Sequence, residues 1–292
     1  MRNFILGTDW GADSDDAIAV RLLARAAKSE RIRLLGIGIN CVGPHSYASM
    51  KAYLKNEDVD VPVGLDTHAL NFDWRETYQL RLASLMPEVA DAEADSALRV
   101  YRRAIAESTE PVEIAEVGFL QVLADLIESP ADDISPLSGL ELIREKVAHV
   151  WIMGGKWNED GGKEFNLSAH PTAARAAALV CEKCPVPITF LGFEIGANVI
   201  TGNLLPETDL LKQALIDHGC GGGRESWDPM LVTLALTGTP EAAGYDAVYG
   251  RATVDGATGA NHFEEAENGP HRYVKKATED DFYIDRINNA IA

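Results

Sequence analysis

Apolar runs of strand length alternate with helically patterned stretches along most of the chain, and this alternation restricts the fold more than any other feature. Segments 4–6, 33–39, 112–117, 147–153 and 186–191 read as buried strands, with a shorter one at 61–63. Nearly continuous apolar runs bounded by turn residues suit strands covered on both faces. Between them, apolar residues at helical spacing predict helices opening at Ala17 and over 46–55, 96–107, 120–128, 171–181, 206–218 and 228–236, with a turn near Leu140. The C-terminal part, 245–292, holds β-like pieces at 252–254 and 272–274 and a last helix at 280–291. The expected architecture is α/β: a single domain over 1–292 with a mostly parallel central sheet and helices on both faces, Rossmann-like. Ligands of such sheets bind outside the carboxyl ends of the strands. That gives weight to Asp9, Asn40, Gly118, Gly154 and Glu194, each just after a strand. The least regular stretch, 66–95, carries Trp74 and Tyr78, which suit a flap over a site, with a packing anchor as the alternative for Trp74.

The first strand runs into Thr8-Asp9-Trp10-Gly11-Ala12-Asp13-Ser14-Asp15-Asp16, four carboxylates in nine residues, and then into a helix. Like charges this close repel unless something compensates them. Asp15 and Asp16 suffice as a helix cap, which leaves Asp9 and Asp13 unexplained. A hard divalent cation accounts for the whole cluster, and Ca²⁺ suits it best because it takes many oxygen ligands in flexible geometry. Charge balance agrees: 26 basic against 45 acidic side chains, net −19, disfavours nucleic acid and anionic membranes and suits a neutral or cationic ligand or a metal. The start 1–6 is too short for a secretory apolar region, and no later run reaches membrane-spanning length, so a cytoplasmic protein is expected. Four cysteines fit a reducing compartment, with Cys181 and Cys184 read as the end of a helix. There is no Walker loop, no Gly-x-Gly-x-x-Gly after a strand and no Gly-x-Ser-x-Gly elbow; Gly219–Gly223 reads as a flexible loop after a helix.

Asp9-Trp10-Gly11 followed by Asp15-Asp16-Ala17 resembles the N-terminal hallmark of the inosine/uridine-preferring nucleoside hydrolase family, in a variant with two extra residues and the additional Asp13. The resemblance implies metal binding by Asp9 and Asp16 and ribose binding by Asp15, and leaves Asp13 without a role. Gly118-Phe119-Leu120-Gln121 is similar to a family turn in which a backbone carbonyl, here that of Gln121, reaches the metal. Met153-Gly154-Gly155 with Asn158 and Glu164-Phe165-Asn166 resembles the block that holds the ribose hydroxyls. Glu194, in Gly192–Gly196, is placed either facing the site or capping the next turn. Ser226-Trp227-Asp228-Pro229 resembles the last motif, implying that Asp228 completes the metal shell and touches the sugar. Trp227 stands where many members have histidine. His170, before Pro171, is read as a helix cap or a residue supporting the site, and His45 and His68 as surface residues.

The implied activity is Ca²⁺-dependent hydrolysis of the N-glycosidic bond of a ribonucleoside. Asp9 acts as general base, and Asp15, Asn158, Glu164, Asn166 and Asp228 grip the ribose. Trp227 cannot donate an acidic proton, but its face can stack on a base, which suits purines; packing in the core is the alternative. The resemblance also implies a homodimer or homotetramer. Two other readings stay open: an inactive nucleoside- or sugar-binding module of the same fold, motivated by Gln121, Val122 and Trp227, and a metal-dependent phosphohydrolase.

Overall fold

The computed structural model describes residues 1–68 and 77–292, so Trp74 lies outside the described residues. From the N-terminus, β1 (Arg2–Thr8), α1 (Asp15–Lys28), β2 (Ile32–Ile39), α2 (Ser46–Asn56) and β3 (Val63–Leu65) are followed by α3 (Tyr78–Ala83) and β4 (Asp95–Ser96). Next come α4 (Ala97–Glu107), β5 (Val112–Glu116), α5 (Gln121–Glu128), α6 (Gly139–Lys146), β6 (Val147–Met153), α7 (Phe165–Ser168), α8 (Pro171–Lys183) and β7 (Ile188–Leu191). The last part comprises α9 (Phe193–Gly196), β8 (Ile200–Thr201), α10 (Leu210–Asp217), β9 (Arg224–Glu225), α11 (Trp227–Thr237), α12 (Pro240–Ala243), β10 (Tyr245–Val254), β11 (Asn261–Glu265), β12 (His271–Lys276) and α13 (Asp280–Ile291).

Ten strands form one sheet in the order β11-β10-β12-β7-β6-β5-β1-β2-β3-β4. All neighbours from β12 to β4 pair parallel, and β10 and β11 add an antiparallel edge. Residues of α1, α2, α10, α11 and α13 fill one core against the sheet, and those of α4, α5, α6 and α8 fill the other. The α/β architecture with both faces covered is therefore as expected from the apolar runs. The chain leaves β1 towards β2 and β3 on one side and returns to β5 and β6 on the other. The crevice at this reversal of strand order lies beyond the carboxyl ends of β1 and β5, where such sheets bind ligands. Among the described residues no helix is long and apolar enough to cross a membrane.

Several boundaries differ from expectation. The third strand starts at Val63 rather than Val61, because Pro62 has no N–H to give a ladder and contributes only its carbonyl, to the Ile37 amide at 2.9 Å. Helix α10 begins at Leu210 and not at Pro206: the Asp209 carboxylate accepts from the amides of Leu211 and Lys212 and caps it there. The turn near Leu140 is a helix of eight residues opened by a Ser138–Glu141 capping box. At the C-terminal edge β10 spans ten residues, and β11 was not anticipated from its polar sequence Asn-His-Phe-Glu-Glu. An edge strand tolerates polar side chains on its solvated positions, which hides it from a search for apolar runs.

Close to the crevice, β1, β2 and β3 place Gly7, Gly38 and Gly64 side by side in register. A Cβ on Gly7 would fall 1.7 Å from Glu116 Oε2, so the glycine leaves the space that the Glu116 side chain fills. Glu116 is wholly buried; its Oε1 accepts from the Tyr101 hydroxyl at 3.0 Å and its Oε2 has no partner. Burial pushes its carboxyl up to about 8. The folded protein thus keeps a proton there that the unfolded chain releases near pH 4.5, so this group's contribution to stability is full below that pH and fades as pH rises through about 8. With Ca²⁺ present throughout, Glu116→Gln should be close to wild type in urea unfolding at mildly acid pH and more stable, by several kcal/mol at most, above pH about 8. A wild-type-minus-variant difference that does not change with pH would refute a neutral Glu116.

Candidate active site and metal centre

The acidic loop leaves β1 in a tight turn. The Ala12 amide donates to the Asp9 carbonyl at 2.8 Å, and Gly11 takes φ +96°, a conformation that strains residues with a Cβ. Trp10 is buried beneath this turn: its Nε1 donates to Ser49 Oγ at 2.8 Å, and its ring packs on Tyr53 and edge-on to Tyr78. It wedges the loop and does not wall the pocket. Tyr78, expected in a flap, is a core residue whose hydroxyl donates to the Asp13 carbonyl at 2.8 Å. An amphipathic tyrosine buries its ring when its hydroxyl finds a partner.

Above this support lies a cavity of about 310 Å³, within the range of small-molecule sites. Asp9, Asp13, Asp15, Asp16, Glu164 and Asp228 line it with Asn166, Arg224, Phe165, Phe193, Trp227, Val117 and Met153. Loop, strand end and helix start converge: Asp9 from the end of β1, Asp15 and Asp16 from the first turn of α1, Asp228 from that of α11. One carboxylate oxygen each of Asp9, Asp16 and Asp228 lies within 4.8 Å of the others. The Thr8 hydroxyl holds Asp16 through Oδ1, while Asp16 Oδ2 is buried and without a partner. The Asp228 amide donates to Asp15 Oδ2 at 3.1 Å, tying the two helix starts together.

Burial, and after it the repulsion of neighbouring carboxylates, holds Asp9, Asp15, Asp16 and Asp228 well above the usual carboxylate range. A bound divalent cation reverses that balance. The donor set fits one: three convergent carboxylates, one of them with an orphaned buried oxygen, are what a hard cation satisfies.

The residues expected on the sugar side are held as firmly. Glu164 accepts from the amides of Gly155 at 3.1 Å and Asn166 at 2.9 Å, and burial pushes its carboxyl up to about 7. Asn166 donates through Nδ2 to the carbonyls of Val117 and Met153 at 3.0 and 3.2 Å, at the ends of β5 and β6. Its amide oxygen is left as the group it can present. Trp227 is half-buried; Phe193 stacks on it at 5.3 Å and 21°, and its Nε1 donates to the Phe193 carbonyl at 2.7 Å. It is a wall of the pocket with its one polar group engaged.

Two expected residues do not reach the cavity. Asn158 is exposed: Trp157 packs inward against Phe190, and Asn261 ties the backbone at Lys156 to β11, so the next side chain turns to solvent. Gln121, whose backbone carbonyl was the expected ligand, is buried and not among the lining, and its side chain donates to the Asn40 carbonyl at 2.8 Å. Glu194 takes neither expected place: it is not among the lining and does not cap α9, its carboxylate accepting instead from the Trp157 amide. His170 caps α8 by accepting from the Thr172 amide at 3.2 Å.

Asp13 acquires a partner that the sequence did not suggest. Arg224 grips it with Nε to Oδ1 at 2.7 Å and Nη2 to Oδ2 at 2.5 Å, and lies over the Trp227 ring at 5.3 Å. Arg224 is the one cation among the described lining residues. Its only sequence signal was a basic residue three positions before Trp227 in an acidic chain.

No protein-family model and no curated protein matches the sequence. Solved structures do match its fold. An inosine-guanosine nucleoside hydrolase superimposes with a TM-score of 0.69 at 16% identity, over 100% of this chain and 99% of its own. The inosine-uridine preferring nucleoside hydrolase from Bacillus anthracis does so at 0.70 and 16%, over 100% and 99%. The type III effector protein XopQ, in complex with adenosine diphosphate ribose, gives 0.68 and 16% over 100% and 94%. Coverage of all of this chain and 94–99% of each of these structures at these scores gives the chain the nucleoside hydrolase fold.

Proposed function

We propose that the protein hydrolyses the N-glycosidic bond of a ribonucleoside, releasing free base and ribose. The observation that carries this reading is the convergence of three metal-competent carboxylates with Asp15, Glu164 and Asn166 in one cavity beside an aromatic wall. The nucleoside hydrolases whose solved structures share this fold support it. Asp9, Asp16 and Asp228 would hold the divalent cation, proposed to be Ca²⁺, whose chemistry is to acidify a bound water. Asp9 takes the proton of the attacking water as general base. Asp15, Asp228, Glu164 and Asn166 orient the sugar hydroxyls and favour the oxocarbenium-like transition state, whose positive charge the surrounding carboxylates offset. Because those polar groups are buried, a sugar lacking a hydroxyl leaves one unpaired, which selects ribose over deoxyribose.

The base would lie against the Phe193–Trp227 pair. Trp227 offers no acidic proton, its N–H being committed to the Phe193 carbonyl, and the positive charge of Arg224 beside it is already shared with Asp13 and Glu225. Trp227→Ala should raise KM for purine nucleosides about tenfold and for pyrimidine nucleosides less, given the worth of an aromatic contact. Equal effects on both would refute the purine preference.

The engaged indole also favours a second reading, a binding module without turnover, and the effector neighbour complexed with adenosine diphosphate ribose supports it. Incubation with a panel of nucleosides, nucleotides and phosphoesters in Ca²⁺, with chromatography for free base, separates the readings. Base release supports the hydrolase. Ca²⁺ and nucleoside binding without release supports the module, and phosphate release alone overturns both.

A further inference from the structure

Beyond the end of β3, two strands from β1, a second group of metal-competent side chains assembles from Asp66, His68 and Asp125. One ligand atom of each lies within 4.8 Å of the others. None of the three lines the acidic cavity. His68 Nδ1 and Asp125 Oδ2 are 2.8 Å apart on the exposed side of the group. Asp66 forms its floor and is only 7% exposed. Its Oδ1 accepts from the His68 amide at 2.8 Å, which folds the chain so that the imidazole stands above it. Its Oδ2 is buried and takes no hydrogen bond.

Gln121 lies beside Asp66, with its side-chain amide as a donor towards that carboxylate. Its Nε2 also donates to the Asn40 carbonyl, which sets the orientation of the amide and leaves Oε1 buried without a donor. Gln121 and Asp125 sit four residues apart on α5 and so share a face of that helix. A buried carboxylate oxygen without a donor is costly, and the exposed side of the same group ends in an imidazole and a carboxylate. A cation held by Asp66, His68 and Asp125 satisfies these groups at once.

We propose that Asp66, His68 and Asp125 form a second divalent-metal site, separate from the acidic cavity. One imidazole nitrogen among oxygen ligands selects a borderline ion such as Zn²⁺ over Ca²⁺, whereas the Asp9, Asp16 and Asp228 set is all oxygen. Bond lengths of about 2.0–2.2 Å require the group to close by rotation of the outer His68 and Asp125 side chains. The site stands or falls independently of nucleoside hydrolysis.

The test is calorimetric titration of the full, untagged chain with Zn²⁺ in excess Ca²⁺, which keeps the all-oxygen site filled. The wild type should bind one Zn²⁺. Asp125→Asn and His68→Gln, both outside the core, should each weaken that binding at least about tenfold while leaving the Ca²⁺ titration unchanged. Absence of Zn²⁺ binding in the wild type, or equal binding in the wild type and both variants, overturns the proposal. Co²⁺ provides a second readout: a visible absorption band that His68→Gln diminishes supports imidazole ligation, and a band unaffected by the variant contradicts it.

Discussion

Asp9→Asn should lower nucleoside turnover on the order of 10⁴-fold, the upper range for loss of a positioned general base, with free-base release as the readout. The side chain is asked to do two things. Its carboxylate lies within 4.8 Å of those of Asp16 and Asp228, where a shared cation is proposed to bind, and it is the base proposed for the water that attacks the sugar. Asparagine keeps the size and one oxygen but can neither take a proton nor neutralise the ion, so both roles fail while the fold stands. The loss should fall in kcat, with substrate affinity changing less, because Asp15, Glu164 and Asn166, the proposed ribose contacts, are untouched. Turnover within tenfold of wild type would exclude Asp9 as the base.

Metal removal should produce the second large effect, on stability. Without an ion, Asp9, Asp15, Asp16 and Asp228 all have carboxyls raised by burial and by one another. Raised carboxyls favour the folded state while protonated, so the metal-free protein should lose stability as pH climbs from the ordinary carboxylate range, about 4, towards neutrality. The proposed Ca²⁺ would oppose this by binding only the folded state: at about one hundred times its Kd it adds about 2.7 kcal/mol, or roughly 4 °C in Tm for a chain of this size. Asp228→Asn removes one of the repelling charges. At neutral pH and in chelator it should therefore melt above the chelated wild type, yet gain little from added Ca²⁺. Scanning calorimetry of the two proteins with and without Ca²⁺ checks both halves. A variant that melts below the wild type in chelator would show that Asp228 is structural rather than a strained member of the site.

Much of the architecture was legible because burial leaves a local trace. Strands β1, β2, β5, β6 and β7 are covered on both faces, and their apolar runs needed no knowledge of neighbours. The acidic loop was legible for the opposite reason, since four carboxylates at one helix start require a compensating partner wherever they fold. The parts that were missed depend on neighbours. Polar β11 and most of β10 become strands through pairing at the sheet edge. Asn158 was assigned by its place in a motif, but the inward packing of Trp157 turns it outward.

Asp13 and Asp9 illustrate the division within a single loop. By itself the sequence determined the α/β layering, the position of the acidic loop after the first strand, and the set of carboxylates available to a metal. These follow from periodicity and charge density, which act over a few residues. Only the tertiary structure decided which carboxylates converge. Asp9 and Asp16 meet Asp228 at the start of α11, whereas Asp13, equally acidic, is taken by Arg224 of β9. The reason is geometric: residues some two hundred positions apart meet only when the strand order of the sheet and the packing of α11 against α1 bring them together, and no local pattern encodes that closure.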